Sequence, residues 1–367
     1  MPELQAVGDD QTAAARGRRV NPADTPLLAL LAALLLAAVS AAGTAVWWHR
    51  AQRGGWMDLP GHRSNHSRPT PRGGGVGMLA TLLLAALLLP WPLALRLGLT
   101  ASLLLVGLLG LLDDYRGLRP GWKLLGQVLA VLPLAITLAP GLADLLPVAG
   151  MVALLLSAGL AACVLLFFVN AWNFMDGIDG IAALSAAMLG LVALLVGSGA
   201  LAWFGLALAA ACAGFLPWNL PRARLFMGDA GSHALGLAVG ALLLLALPAT
   251  GTSVPIAFWA LLTASLPFAI DVLATLGRRT LDGEPLAHAH RRHLYQLAVR
   301  KGYSHARVAL AYAGLGAALG SGVAMIGRAQ GEDAAGLALA AATAALALAW
   351  SLLRGRLAAG LEGEARA

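Results

Sequence analysis

The sequence predicts an all-α polytopic membrane protein with about eleven transmembrane helices. Three observations carry this prediction. Of 367 residues, 59% are hydrophobic and only 12% charged, with a mean hydropathy of +0.77, outside the range in which a water-soluble globule can bury its apolar residues. The apolar residues fall in runs of about 15 to 23, close to the roughly 20 that a helix needs to cross the hydrocarbon core. These runs do not alternate polar and apolar, as the strands of a membrane barrel would.

Taken in order, the first span, 27–48, follows a polar tail, 1–26, and ends at Trp47 and Trp48, an aromatic pair suited to the membrane interface. The second and third, 75–95 and 97–112, are joined at Pro90, Trp91 and Pro92, the shortest connection in the chain. The remaining spans are 122–139, 148–169, 180–197, 200–216, 232–248, 254–276, 306–326 and 333–353, each a continuous apolar run between polar or Gly and Pro breakers. No soluble domain, linker or tandem repeat stands out. Residues 27–353 therefore read as one transmembrane domain, followed by a C-terminal tail, 354–367.

Charge sets the orientation. The loops 49–74, 113–123, 217–230 and 277–305, with Arg307 and the tail from 354, hold 20 of the 25 Lys and Arg. By the positive-inside rule this face is cytoplasmic, with the N-terminus outside and the C-terminus inside. Arg16, Arg18 and Arg19 run against this orientation. Processing near Ser40, Ala41 and Ala42 would remove the conflict, but the apolar run continues to Trp47 and Trp48, and an uncleaved anchor is expected. The net charge of +7 then reflects topology and affinity for anionic headgroups in the lipid bilayer, with no nucleic-acid partner required. Cys163 and Cys212 lie inside spans without metal-type spacing and are expected to be buried small apolar residues.

Five of the eighteen acidic residues gather at helix mouths on that one face: Asp113 with Asp114, Asp176 with Asp179, and Asp229. Carboxylates are costly beside lipid, so this concentration points to a bound cation or polar substrate and puts the candidate active site on the cytoplasmic face. Asp113 and Asp114 end the third span, where the helix dipole is already negative; compensation would come from Arg116 and Arg119, or from a divalent metal. In the stretch from Asn170 to Ile181, Asn170, Asn173 and Asp176 are three residues apart and share a helix face. Gly177 and Gly180 permit close backbone approach or left-handed turns around a ligand. Capping of the next helix would account for Asp179 alone. The stretch from Phe226 to Ser232 opens the eighth span. Asp229 or Ser232 can cap it, Asp229 is also a hard-oxygen ligand suited to Mg²⁺, and Phe226 can stack on a base or fill the interface.

Two long polar loops complete this face. In the first, Arg63, Arg68 and Arg72 surround Ser64, Ser67 and Thr70 before three glycines open a helix, a combination that favours phosphate, from a substrate or from lipid headgroups. In the second, His288, His290, Arg291, Arg292 and His293 suit an anionic diphosphate better than zinc. Asp271, about two turns inside the ninth span, stands open between a functional role and a structural pairing with Arg278 or a neighbouring helix.

The ordered set Arg-Pro-Thr-Pro-Arg-Gly-Gly-Gly, Asp113-Asp114, Asn-x-x-Asn-x-x-Asp-Gly-x-Asp-Gly, Phe-x-Gly-Asp-x-Gly-Ser and His-Arg-x-His, spread from about Asp58 to His305, resembles the polyprenyl-phosphate N-acetylhexosamine-1-phosphate transferases, glycosyltransferase family 4. The resemblance implies transfer of a sugar 1-phosphate from a UDP-N-acetylhexosamine to undecaprenyl phosphate in the bacterial inner membrane. UMP is released, Mg²⁺ or Mn²⁺ is the cofactor, and a homodimer is compatible with it. Position by position, it implies Asp113 and Asp114 as the essential acidic pair, and Asn173 and Asp229 at the metal. Asp176, Asp179 and Phe226 match positions near the nucleotide, and Thr70, Arg72, His290, Arg291 and His293 positions that meet phosphate. The His290-Arg-Arg-His293 spelling lacks the adjacent histidines of the muramoyl-pentapeptide branch and the His-x-His-His of the common N-acetylglucosamine branch. It is similar to O-antigen initiating enzymes acting on sugars such as N-acetylfucosamine or N-acetylquinovosamine. A transporter would carry its acids near the bilayer midplane, whereas all but Asp271 of these sit at the rim. CDP-alcohol phosphotransferases share Asp-Gly doublets, but their following Ala-Arg is missing after Asp176.

Overall fold

The computed structural model describes residues 21–58, 69–247, 254–285 and 290–366, with side chains to 359. Arg16, Arg18, Arg19, Arg63, Ser64, Ser67, Arg68 and His288 lie outside the described residues. The elements are α1 (Pro26–Gly54), a hairpin of β1 (Met57–Asp58) and β2 (Thr70–Pro71), α2 (Val76–Leu88), α3 (Leu93–Arg116), α4 (Pro120–Ala143), α5 (Gly150–Met175), α6 (Ile181–Val196), α7 (Ala200–Asn219), α8 (Gly228–Leu245), α9 (Ile256–Leu281), α10 (Leu294–Arg300), α11 (His305–Gln330) and α12 (Glu332–Arg366). The strands pair antiparallel, Met57 opposite Pro71 and Asp58 opposite Thr70.

Among the described residues eleven helices coincide with the eleven predicted apolar runs, and the short α10 adds a twelfth between α9 and α11. Among the described residues nine are long and apolar enough to cross a membrane, while α2 and α6 are shorter. The span expected over 75–95 proves too long. Its helix stops at Leu88, because Pro90 and Pro92 cannot continue the hydrogen-bond ladder, and restarts at Leu93. At about 1.5 Å per residue the 13 residues of α2 cover roughly 20 Å, well short of a bilayer core, so α2 depends on its neighbours for burial. Cys212 is buried in α7 as expected; Cys163 is exposed on α5, so a position within a span did not make it part of the core.

Of the nine long spans α8 is the most buried, and α1 and α12 the least. Helix α8 packs against α3 and α5 and also touches α2, α6, α7 and α9. Small residues make this crowding feasible: Gly231 meets the backbone of Gly75, just before α2, and Gly236 that of Phe168 on α5. The N-terminus of α8, with its partial positive charge, therefore opens at the centre of the face where α3 and α5 end and α4 begins.

Candidate active site

Two of the sequence motifs are zipped together by main-chain hydrogen bonds. Phe226 N–H donates to Pro71 O (2.8 Å), Gly74 N–H to Phe226 O (2.9 Å) and Gly75 N–H to Met227 O (2.8 Å). The Trp47 indole, which its sequence position marks as an interfacial anchor, donates to Arg72 O (2.9 Å) and holds this segment from below. Gly228 then turns the chain into α8 with φ at 74°. A Cβ there would lie 2.5 Å from Asp114 Oδ2 and 2.9 Å from Gly73 N, so only glycine fits.

Asp114 is buried and accepts from the first-turn N–H groups of α8, Asp229 (2.9 Å) and Ala230 (3.4 Å). No side chain of the Phe226–Ser232 stretch caps α8; the cap comes from the end of α3. The dipole that penalises an acid at the C-terminus of α3 is thus answered by the opposite pole of α8. Arg72 lies within electrostatic reach of the same carboxylate.

Asp113 points the other way. Its Oδ1 accepts from Leu118 N–H (2.6 Å) and its Oδ2 lies 2.9 Å from Lys123 Nζ. Lys123, in the first turn of α4, also binds Asp229 Oδ2 and donates to Asn173 Oδ1 (3.2 Å). Asn173 Nδ2 in turn donates to Asp229 Oδ1 (3.0 Å) and Ser232 Oγ (3.1 Å). Behind this cluster Asn170 donates to Gln127 Oε1 (3.0 Å), and Gln127 Nε2 lies 3.2 Å from His233 Nε2. Asn170 therefore belongs to a buried polar relay under Asp229, one helical turn below Asn173.

The loop after α5 is held from three sides. Asp179 Oδ2 accepts from Ala223 N–H (3.2 Å) and pairs with His305 Nδ1 (3.2 Å), so it does not cap α6. Asn219 Oδ1 accepts from Gly180 N–H (2.7 Å), and its Nδ2 donates to Leu225 O (3.0 Å). The Tyr295 hydroxyl, donating to Phe174 O (3.0 Å), passes so close to Gly177 that a Cβ would collide with it. Asp176 projects into the space enclosed. Burial, reinforced by repulsion from Asp229, Asp114 and Asp179, pushes its carboxyl up to about 8.

That space is a cavity of about 330 Å³ whose wall includes Asp58, Arg72, Asp114, Asp176, Asp179, Phe226 and Asp229, together with Asn219, Gln296 and His305. Among the described residues five carboxylates, one arginine and an aromatic ring surround this volume, and such a lining suits a phosphorylated ligand accompanied by a cation.

Comparison with known proteins identifies the family. Residues 96–247 match the model of glycosyl transferase family 4. The chain is 31% identical over 309 residues to the decaprenyl-phosphate N-acetylglucosaminephosphotransferase of Mycolicibacterium smegmatis, covering 72% of this chain and 74% of that one. It is 32% identical to the protein of the same name from Mycobacterium tuberculosis, covering 71% and 73%. It is also 35% identical to the phospho-N-acetylmuramoyl-pentapeptide-transferase of Moorella thermoacetica, covering 65% and 81%. The chain belongs to the polyprenyl-phosphate N-acetylhexosamine-1-phosphate transferase family.

In this transferase the residues singled out in the sequence separate into three groups. Asp114, Asp176, Asp179, Asp229, Phe226 and Arg72 face one cavity, and Asp113 and Asn173 adjoin it through Lys123 and Asp229. Thr70 is buried in the hairpin. His290, Arg291 and His293 stand apart from this cavity wall. His293 is 2% exposed, stacked between Tyr295 and Phe174, with His290 4.9 Å away and Asp271 Oδ1 3.6 Å from its Nδ1. Burial, then the neighbouring His293, Arg279 and Arg292, push His290 down to about 4, so it is neutral near pH 7. Asp271 pairs with neighbouring elements rather than Arg278: it accepts from Leu294 N–H (2.8 Å), the Tyr312 hydroxyl (2.7 Å) and the Trp350 indole (3.1 Å).

The donor set fits a hard divalent cation. Asp229, Asp113 and Asn173 offer two carboxylates and an amide oxygen that converge on one point, now engaged by the Lys123 ammonium. Among the described residues no three His, Cys, Asp or Glu form a closed cage, which Mg²⁺ does not need when substrate phosphates supply further oxygens. Sequence reasoning missed Lys123, Asn219 and His305. A lysine in the first turn of a span, at the positive end of the dipole, was itself a signal that an acid must face it.

Proposed function

We propose that the protein transfers an N-acetylhexosamine 1-phosphate from a UDP-sugar to undecaprenyl phosphate, releasing UMP and forming a lipid-linked pyrophosphate that initiates O-antigen or another envelope polysaccharide. The observation that carries this reading is the meeting of Asp113, Asp229, Asn173 and Lys123 beside a cavity with Arg72 and Phe226 in its wall. In this reading Asn173 and Asp229 hold Mg²⁺ (or Mn²⁺), which would neutralise the diphosphate. Phe226 stacks on the uracil, Asp176 and Asp179 face the nucleotide, and Arg72 with Thr70 meets phosphate. The loop bearing His290, Arg291 and His293 borders the site through Gln296.

The lipid phosphate needs little help from a base. The second pKa of a phosphate monoester lies near 6, so it is already mostly a dianion at neutral pH. The difficulty is bringing it to a like-charged diphosphate, and positioning with charge neutralisation carries most of the rate. Asp114, bound to the α8 backbone, orients that helix start and thereby Asp229. Asp113 balances Lys123.

The carrier-lipid names of the two mycobacterial relatives support a polyprenyl phosphate acceptor. The Moorella relative supports a second reading, a muramoyl-pentapeptide donor. The site is assigned to the cytoplasmic face of the bacterial inner membrane, where UDP-sugars are found. Purified protein with undecaprenyl phosphate, Mg²⁺ and a panel of UDP-GlcNAc, UDP-FucNAc, UDP-QuiNAc and UDP-MurNAc-pentapeptide should release UMP and form lipid product with one donor preferred. Absence of product with every donor would sink the proposal.

A further inference from the structure

Helix α10 contributes Gln296 to the catalytic cavity, but Leu297 and Arg300 to a second and larger one, of about 550 Å³, on the same face. Its wall carries five guanidinium groups, Arg278, Arg291, Arg292, Arg300 and Arg354. Among the described residues Asp282 is the one acid lining it, and Asp282 (3.3 Å) and Glu284 (2.5 Å) both engage Arg292. Arg354 lies 5.5 Å over the Trp350 ring, within electrostatic reach of Arg278 and Arg292 as well as of Asp282 and Asp271. Its Nε is buried and has no hydrogen-bond partner among the described residues. So many like charges around one space repel each other, and a buried guanidinium N–H without a partner is costly; a phosphate oxygen answers both.

The surroundings say which kind of phosphate. The cavity is closed on one side by α12, the least buried of the long spans, whose Leu348, Leu352 and Leu353 are exposed beside Trp350 and Arg354. An exposed leucine surface continuous with an Arg and Trp rim is where acyl chains meet headgroups.

We propose that this cavity binds the phosphodiester headgroup of an anionic phospholipid, with its acyl chains along α12. The site adjoins the histidine loop twice. Arg291 and Arg292 precede His293, and the Trp350 indole donates to Asp271, which also accepts from Leu294 N–H at the start of α10.

The test reads the thermal midpoint of the full-length protein in detergent against short-chain phosphatidylglycerol, short-chain phosphatidylcholine and inorganic phosphate. Phosphatidylglycerol should give a saturable rise that the other two do not give at equal concentration, and added salt should weaken it. Arg300→Gln and Arg354→Gln should each raise the half-saturating concentration about fivefold. An equal rise with phosphatidylcholine, a rise with inorganic phosphate matching that with phosphatidylglycerol, or an unchanged response in the variants overturns the assignment. Arg300 is exposed on α10, so Arg300→Gln decides the matter even where Arg354→Gln does not fold. The readout is lipid binding, so its failure leaves the transferase reading untouched.

Discussion

Lys123 holds three polar side chains of the site at once, Asp113, Asp229 and Asn173. An ammonium so placed keeps two carboxylates close that would otherwise repel, and removing it leaves them unbalanced. Lys123→Met should lower UMP release at least about a hundredfold, and Lys123→Arg should not restore it, because a planar fork cannot replace a compact charge. Retention of more than a tenth of the turnover in Lys123→Met would show the lysine to be dispensable. Asp176 makes a pH prediction. Its native carboxyl, raised to about 8 from 3.8, binds a proton more tightly than in the unfolded chain, so its contribution to stability falls as pH rises from about 4 to 8. In EDTA, the thermal midpoint should decline over that window. Asp176→Asn should flatten the decline and raise the midpoint by about 2–4 °C near pH 8. A parallel decline in the variant would assign the effect elsewhere.

At the scale of elements, the start of α8 is organised from outside itself. Asp114 on α3 caps it, and Pro71, Gly74 and Gly75 are joined to Phe226 and Met227 by backbone hydrogen bonds. Asp114→Ala should therefore destabilise the fold by about 1–2 kcal/mol as well as abolish turnover, while Asp114→Asn, which can still accept a hydrogen bond, should lose less stability. Melting curves beside activity separate the two effects; identical midpoints for wild type and Asp114→Ala would remove the cap from the account. These partners lie more than a hundred residues apart in the chain, so no local pattern revealed them. The apolar periodicity showed where α8 runs but not which acid would close its end.

At the scale of the molecule, the side that gathers the acids also gathers most of the positive charge. With the cytoplasmic assignment, green fluorescent protein fused after Ala367 should fluoresce in bacterial cells, and alkaline phosphatase inserted near Pro92 should be active in the periplasm. A dark C-terminal fusion paired with inactive phosphatase at Pro92 would invert the topology.

The all-α polytopic architecture and the gathering of Asp113, Asp114, Asp176, Asp179 and Asp229 at one end of the helices were legible in the sequence alone, because continuous apolarity and the alternation of sides are local, additive properties of a chain in lipid. The motif order carried the family. What each acid touches was decided only by tertiary packing: Asp114 on the α8 backbone, Asp113 on Lys123, Asp179 on His305, and Asp271 on His293 away from the cavity that Arg72 and Phe226 line. Such pairings depend on which helices lie side by side, and small residues such as Gly75 and Gly231 settle that by how closely two backbones can approach.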